Sequence, residues 1–197
     1  MRIGLFDYGA GNLHSLRKAL EAGGANVTLT RDWSEALSRD ALVLPGVGSF
    51  SAAVRSLGEH RARIRKALES GYPCLGICLG MQLLFDRSEE GRGEGIGFIQ
   101  GSVRRLQGRI VPQMGWNDVD MGPDPIFGEV HRLVAYYANS FVCAPDDPGT
   151  VIATTDYEGD LFPAGVRRKN GWGVQFHPEK SSIPGLKIIH NFLRELR

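Results

Sequence analysis

The run Ala41-Leu42-Val43-Leu44 is apolar at every position, and this continuity constrains the fold more than any other feature of the chain. A strand with one wet face alternates polar and apolar residues, whereas an unbroken apolar strand needs helices over both faces, as in a parallel sheet. The first half of the chain has the segments to supply them. Ile3 to Phe6 reads as a strand, followed by the turn-rich Asp7-Tyr8-Gly9-Ala10-Gly11-Asn12. Leu13, Leu16 and Leu20 recur at helical spacing before a Gly23-Gly24 stop. Val27 to Leu29 is a second strand. Leu57, Ile64, Ala67 and Leu68 mark one further helical stripe ending near Gly71-Tyr72-Pro73, and Cys74-Leu75-Gly76-Ile77 is the next strand. Strands alternating with helices predict an α/β fold, with a mostly parallel twisted sheet and right-handed crossovers.

The second half is richer in strand signals. Val103 to Leu106, Leu133 to Val142 and Val151 to Thr155 carry β-branched or aromatic residues. Asn170-Gly171 lies between Phe162–Arg168 and Trp172–Phe176 and predicts a hairpin, so an antiparallel region is added to the parallel sheet. Leu186, Ile189, Leu193 and Leu196 predict a closing helix with Pro184 in its first turn. Gly91 to Gly97 is glycine-rich without a strand-to-helix setting, and reads as a loop rather than a phosphate cradle.

At 197 residues, with no linker or repeat, residues 1–197 are expected to form a single domain. A formal net charge of +1 lacks the basic footprint of a nucleic-acid or anionic-membrane binder. The clusters Arg61, Arg63, Arg65, Lys66 and Arg167, Arg168, Lys169 read as solvated faces. No apolar run approaches membrane-spanning length, and the opening MRIGLF is too short for a signal-peptide core. Three cysteines without paired CxxC spacings give neither a disulfide framework nor a zinc site, so no metal or cofactor is expected and a reducing cytoplasm is the expected location.

Chemistry concentrates at Gly76-Ile77-Cys78-Leu79-Gly80, between an apolar strand and the helical Met81-Gln82-Leu83-Leu84-Phe85. This is the glycine–x–nucleophile–x–glycine pattern of a sharp strand-to-helix turn. Glycines two residues on either side relieve the crowding, and the sulfur sits at a helix N-terminus, where the dipole and free N–H groups favour an anion. The bland alternative is a small buried cysteine, the reading given to Cys74. A thiolate enzyme needs a proton carrier. Of five histidines, only His177 follows a strand, Gly173-Val174-Gln175-Phe176, and opens His177-Pro178-Glu179. Residues two apart at a strand end point the same way, so Glu179 can orient the imidazole. Leu44-Pro45-Gly46-Val47-Gly48 ends a buried strand in a turn whose N–H groups can face an oxyanion, although a plain turn reads equally well. The order nucleophile, histidine, acid disfavours an esterase or lipase.

Taken together, Gly76-Ile77-Cys78-Leu79-Gly80-Met81-Gln82, His177-Pro178-Glu179 and Pro45-Gly46-Val47-Gly48 resemble class I (triad) glutamine amidotransferases. Asp7-Tyr8-Gly9-Ala10-Gly11-Asn12-Leu13, Met114-Gly115-Trp116-Asn117 and His177-Pro178-Glu179-Lys180-Ser181 are similar to the branch that forms the glutaminase subunit of imidazole glycerol phosphate synthase. The resemblance implies glutamine as substrate, Cys78 as nucleophile, His177 as base and Glu179 as its orienter. It implies oxyanion donors at Val47, flanked by Gly46 and Gly48, and at Leu79. Gln82 and the stretch Asn139, Ser140, Phe141 would hold the substrate. The ammonia would pass to a (β/α)₈ cyclase subunit in histidine biosynthesis, with Asn12, Met114, Trp116, Tyr136 and Lys180 near that heterodimer interface. Two positions depart from the family pattern: Gln113 and Asn139 stand where histidines are frequent. On chemistry alone a cysteine peptidase or amidase fits the same residues, and a non-catalytic binding subunit would tolerate losing them. Trp116, Tyr136 and Tyr137 read without the resemblance as packed aromatics.

Overall fold

A computed structural model of the chain describes residues 1–9 and 13–196. The elements in chain order are β1 (Arg2–Phe6), α1 (His14–Ala22), β2 (Asn26–Thr30), α2 (Trp33–Ala36), β3 (Ala41–Leu44), α3 (Phe50–Leu57), α4 (Arg61–Glu69), β4 (Cys74–Ile77) and α5 (Leu79–Leu83). There follow β5 (Arg87–Ser88), β6 (Gly91–Glu94), β7 (Gly101–Arg105), β8 (Gln113–Met121), β9 (Leu133–Asn139) and β10 (Phe141–Pro145). The chain closes with β11 (Val151–Tyr157), β12 (Asp160–Arg168), β13 (Gly171–Val174) and α6 (Ser182–Arg194).

Nine strands form the main sheet in the order β2-β1-β3-β4-β13-β12-β11-β8-β9. The pairs from β2 through β4 to β13 are parallel, and those from β13 to β9 are antiparallel. The expected α/β architecture with an added antiparallel region is thus present. A second, four-stranded sheet runs β10-β7-β5-β6.

Both faces of the parallel strands are covered, which is why β3 and β4 are buried at every position. One apolar cluster joins α1 and α6 to Ile3, Leu5, Val43, Leu75 and Ile77. The other joins α2 to α5 to Phe6, Leu42, Leu44 and Cys74. Strand residues alternate between the two clusters because successive side chains leave opposite faces of the sheet.

Four boundaries differ from those expected. The stripe from Leu57 to Leu68 is two helices, because Gly58 (φ 46°) turns the chain between α3 and α4. The segment from Leu133 to Val142 is two strands, β9 in the main sheet and β10 in the second, separated at Ser140. The hairpin between β12 and β13 closes on Lys169-Asn170, one residue earlier than expected, since Arg168 pairs with Gly171. Lys169 rather than a glycine takes the positive φ there, at 51°. Finally, part of the glycine-rich segment is β6, paired antiparallel with β5.

The basic clusters are solvated at Arg63, Arg65, Lys66 and Lys169, and several of their members also have partners. Arg61 pairs with Glu94 and Arg65 with Glu69, while Arg167 stacks 4.6 Å over Trp172 and Arg168 lies 4.9 Å over the Phe98 ring. Among the described residues, no helix is long and apolar enough to cross a membrane.

Candidate active site

Three adjacent parallel strands, β3, β4 and β13, deliver the site. Parallel pairing aligns Val174 with Ile77 and Leu44 with Gly76, so the chain leaves all three strands at the same edge. Ligands of open parallel sheets bind outside this carboxyl edge. Strand β4 runs directly into Cys78, β3 into Pro45-Gly46-Val47-Gly48, and β13 reaches His177 three residues beyond its end. The Cys78 N–H donates to Val174 O at 2.7 Å, tying the turn to the neighbouring strand.

Cys78 has φ 47° and ψ −106°, outside the regions favoured by side-chain-bearing residues. Such a conformation costs on the order of 1–3 kcal/mol and persists only where the surroundings enforce it. Here the chain reverses so tightly that a Cβ on Gly76 would stand 2.6 Å from the Gly80 carbonyl carbon. A Cβ on Gly46 would stand 2.8 Å from Cys78 Cβ and 2.9 Å from His177 Cε1, so the loop after β3 presses against both side chains. Glycine is required at these positions by close approach.

His177 is buried, and its Nδ1 lies 2.9 Å from Glu179 Oε1. Burial by itself lowers the imidazole pKa. Hydrogen bonds to the Cys78 sulfur and to Glu179, with the charges of both, outweigh it and raise the value to about 10. The imidazole is thereby held as a proton carrier beside the sulfur. The other two cysteines lie in apolar surroundings, and burial pushes both thiols up.

Beside Cys78 a cleft of about 160 Å³ is lined by Gly46, Gly48, Leu79, Gln82, Glu90 and the segment from Ala138 to Phe141. Leu79 opens α5, so its N–H is among the first four of the helix and has no intrahelical acceptor. Val47 itself packs its side chain against the α1–α6 side of the core. Gln82 Nε2 donates to Phe141 O at 3.0 Å, which turns its amide oxygen away from that carbonyl.

The matching family model is glutamine amidotransferase class-I, over residues 4–196. The chain belongs to the class-I glutamine amidotransferase family. Two relatives of this amidotransferase, both named imidazole glycerol phosphate synthase subunit HisH, come from Natronomonas pharaonis and Geobacillus kaustophilus. The first is 44% identical over 199 residues, covering 96% of this chain and 92% of the relative. The second is 44% identical over 202 residues, covering 97% and 95%. The solved structure of PurLQS from Thermotoga maritima superposes with a TM-score of 0.76 at 22% identity, covering all of this chain and 99% of that one, and shares the fold.

Of the positions singled out in the amidotransferase sequence, Asn12 lies outside the described residues. The structure gathers Cys78, His177 and Glu179, and places Gly46, Gly48, Leu79, Gln82, Asn139, Ser140 and Phe141 on one cleft. Met114 and Trp116 leave the same face of β8 and are 68% and 56% exposed. Trp116 is therefore no core aromatic, whereas Tyr137 is fully buried against Phe162 and Phe176. Tyr136 pairs across the strands with Trp116, its ring 6.0 Å away and 6.5 Å from His177, while Lys180 Nζ sits 5.6 Å over it.

The two departures from the family pattern, Gln113 and Asn139, are direct cross-strand partners on β8 and β9. Both are buried, and neither amide oxygen meets a hydrogen-bond donor among the described residues. They form one paired site rather than two independent changes. Two residues escaped the sequence reading. Glu90 lines the cleft from the β5–β6 turn, immediately before the glycine-rich segment Gly91 to Gly97. Gln175 contacts the Cys78 sulfur, and its signal was a polar residue in an apolar run two positions before His177, hence on the same side.

Proposed function

We propose that this chain hydrolyses the side-chain amide of glutamine through Cys78, His177 and Glu179, and passes the ammonia to a (β/α)₈ cyclase subunit. The observation that carries the reading is the buried relay from Glu179 through His177 to Cys78 at the mouth of a cleft. The names of the HisH relatives supply the setting, a glutaminase subunit of imidazole glycerol phosphate synthase in histidine biosynthesis.

The Cys78 sulfur attacks the amide carbon, and the resulting oxyanion is met by backbone N–H groups of Leu79 and, after reorientation of the loop, Val47. Each such donor lowers the barrier by roughly 3 kcal/mol. Gly48, at φ 107°, gives that loop its turning point. The protonated His177 gives its proton to the amide nitrogen, ammonia leaves, and a glutamyl thioester remains on Cys78. Water attacks the thioester while His177 takes its proton. The carbon–sulfur bond breaks, releasing glutamate and restoring the thiolate–imidazolium pair. Throughout, Glu179 fixes the ring through Nδ1.

The cleft also has a feature suited to an α-amino acid. Glu90 lines the cleft together with Ser140 and Phe141, and a carboxylate there suits the ammonium of the substrate. Glu90→Gln is expected to raise KM for glutamine by roughly tenfold or more, the worth of one hydrogen bond to a charged group, with kcat changing less. A KM unchanged within about twofold would remove Glu90 from substrate binding.

Support for the partner lies in the exposed Met114 and Trp116, set beside Tyr136 and Lys180 within reach of His177. Aromatics flanked by a rim charge are what an interface uses. The test is turnover of glutamine by the purified chain alone and with the cyclase and its nucleotide substrate. Higher turnover in the complex is expected, and equal rates with no complex on size exclusion would overturn the proposed partner. Trp116→Ala is expected to weaken association about 30-fold, the size of an interface hot spot, while leaving stability within about 0.5 kcal/mol.

A further inference from the structure

We propose that Gln175 is a further catalytic residue, whose side-chain amide N–H holds the Cys78 sulfur from the buried side of the site. Its Nε2 lies 3.5 Å from Cys78 Sγ, and its side chain is fully buried. It does not line the cleft, so it approaches the sulfur from within the protein rather than from the substrate's side.

Which end of an amide faces a neighbour is set by the hydrogen-bond network. Here the network leaves one solution. The Phe141 carbonyl can only accept, so Gln82 must present its nitrogen there, at 3.0 Å. The same Gln82 nitrogen then stands 3.4 Å from Gln175, which must present its oxygen. That places the Gln175 nitrogen, a donor, on the sulfur. Asn139 Nδ2 donates to the same Phe141 carbonyl at 3.2 Å and anchors the start of the relay. A backbone carbonyl in the cleft wall thereby fixes, through two glutamine side chains, a hydrogen-bond donor on the nucleophile.

The consequence is chemical. A donor fixed on sulfur stabilises the anion over the neutral thiol and holds its lone pairs in one orientation. It also receives the sulfur again when the thioester breaks, so it acts at the start and end of the cycle. Gln82 thus has a second task besides lining the substrate cleft. In this relay it is a positioning residue, acting on Cys78 only through Gln175.

This rests on Cys78 being the nucleophile, and the test is chosen to separate the two. Iodoacetamide alkylates Cys78 without using the glutamine subsite, and peptide mass spectrometry reads Cys78 apart from Cys74 and Cys143. Gln175→Met keeps the side-chain length and removes the donor. Alkylation of Cys78 at neutral pH is expected to slow about tenfold, and kcat of the complex with its cyclase to fall at least as much while KM moves less than about threefold. A folded Gln175→Met chain alkylated within about twofold of the unsubstituted rate would overturn the proposal. The unsubstituted chain supplies a readout that needs no variant: the Gln175 side-chain amide resonance should move when Cys78 is alkylated, and a stationary resonance would equally overturn it. Glutamine turnover surviving in Cys78→Ala would instead show that the nucleophile assignment fails.

Discussion

Cys78→Ala is expected to abolish glutamine turnover, with a loss on the order of 10⁶-fold in kcat, the scale seen when a nucleophile is removed from a triad. No other thiol can take its place. Cys74 and Cys143 are fully buried in the core, and burial pushes both thiols up, away from the reactive anion. The complex should keep synthesising product when ammonia is supplied directly, because in the proposed assembly the cyclising chemistry lies in the partner. The substitution is also expected to leave the chain folded. Alanine loses only a sulfur, while the positive φ of 47° at this position is set by the β4–α5 turn rather than by the thiol. The measurements are glutamate release by the complex from glutamine and product formation from added ammonium. Persistent glutamate release would remove Cys78 from the chemistry, and loss of the ammonium-driven reaction would point to damaged assembly instead.

The legible part of this molecule was the part where local pattern and tertiary need agree. An apolar strand running straight into Gly76-Ile77-Cys78-Leu79-Gly80 can be read because close packing at Gly76 and Gly46 is a steric demand that few residues meet. His177-Pro178-Glu179 can be read because strand geometry aligns residues two apart. What stayed hidden depends on distances the sequence does not carry. The continuous signal from Leu133 to Val142 gives no sign that the chain changes sheets at Ser140, a step that sets Phe141 against Gln82. The hairpin after Arg168 could be found, but its register is fixed by the pairing of Gly165 with Val174 and by the strand partners beyond it. Gln113 and Asn139 lie 26 positions apart and read as separate departures; only the β8–β9 ladder makes them one pair. Glu90 was invisible for a similar reason, since only the fold brings the β5–β6 turn to the cleft that Leu79, Gln82 and Phe141 also line.

Glu179→Gln tests the part of the site where electrostatics rather than packing carries function. The carboxylate accepts from His177 Nδ1 at 2.9 Å, and its other oxygen, Oε2, is buried with no donor among the described residues. Glutamine has the same shape, so the fold should survive. Its amide cannot reproduce the site, because either the oxygen faces Nδ1 without the charge, or the NH₂ group does and forces the wrong tautomer. Turnover is expected to fall by roughly 10³- to 10⁴-fold, as when a triad loses its acid. The pH dependence has a definite sign. Burial opposes protonation of His177, and the raised value of about 10 exists because Cys78 and Glu179 outweigh it. Removing the carboxylate lets burial count for more, so the pKa falls and the alkaline limb of the activity profile moves to lower pH. Stability follows the same linkage. A histidine raised from 6.5 to about 10 stabilises the fold fully below 6.5 and loses that contribution as pH climbs through about 10. The melting-temperature gap between the unsubstituted chain and Glu179→Gln should therefore shrink as pH rises across that interval. A gap that widens with pH, or an unchanged turnover, would show that Glu179 stands beside the imidazole without orienting it.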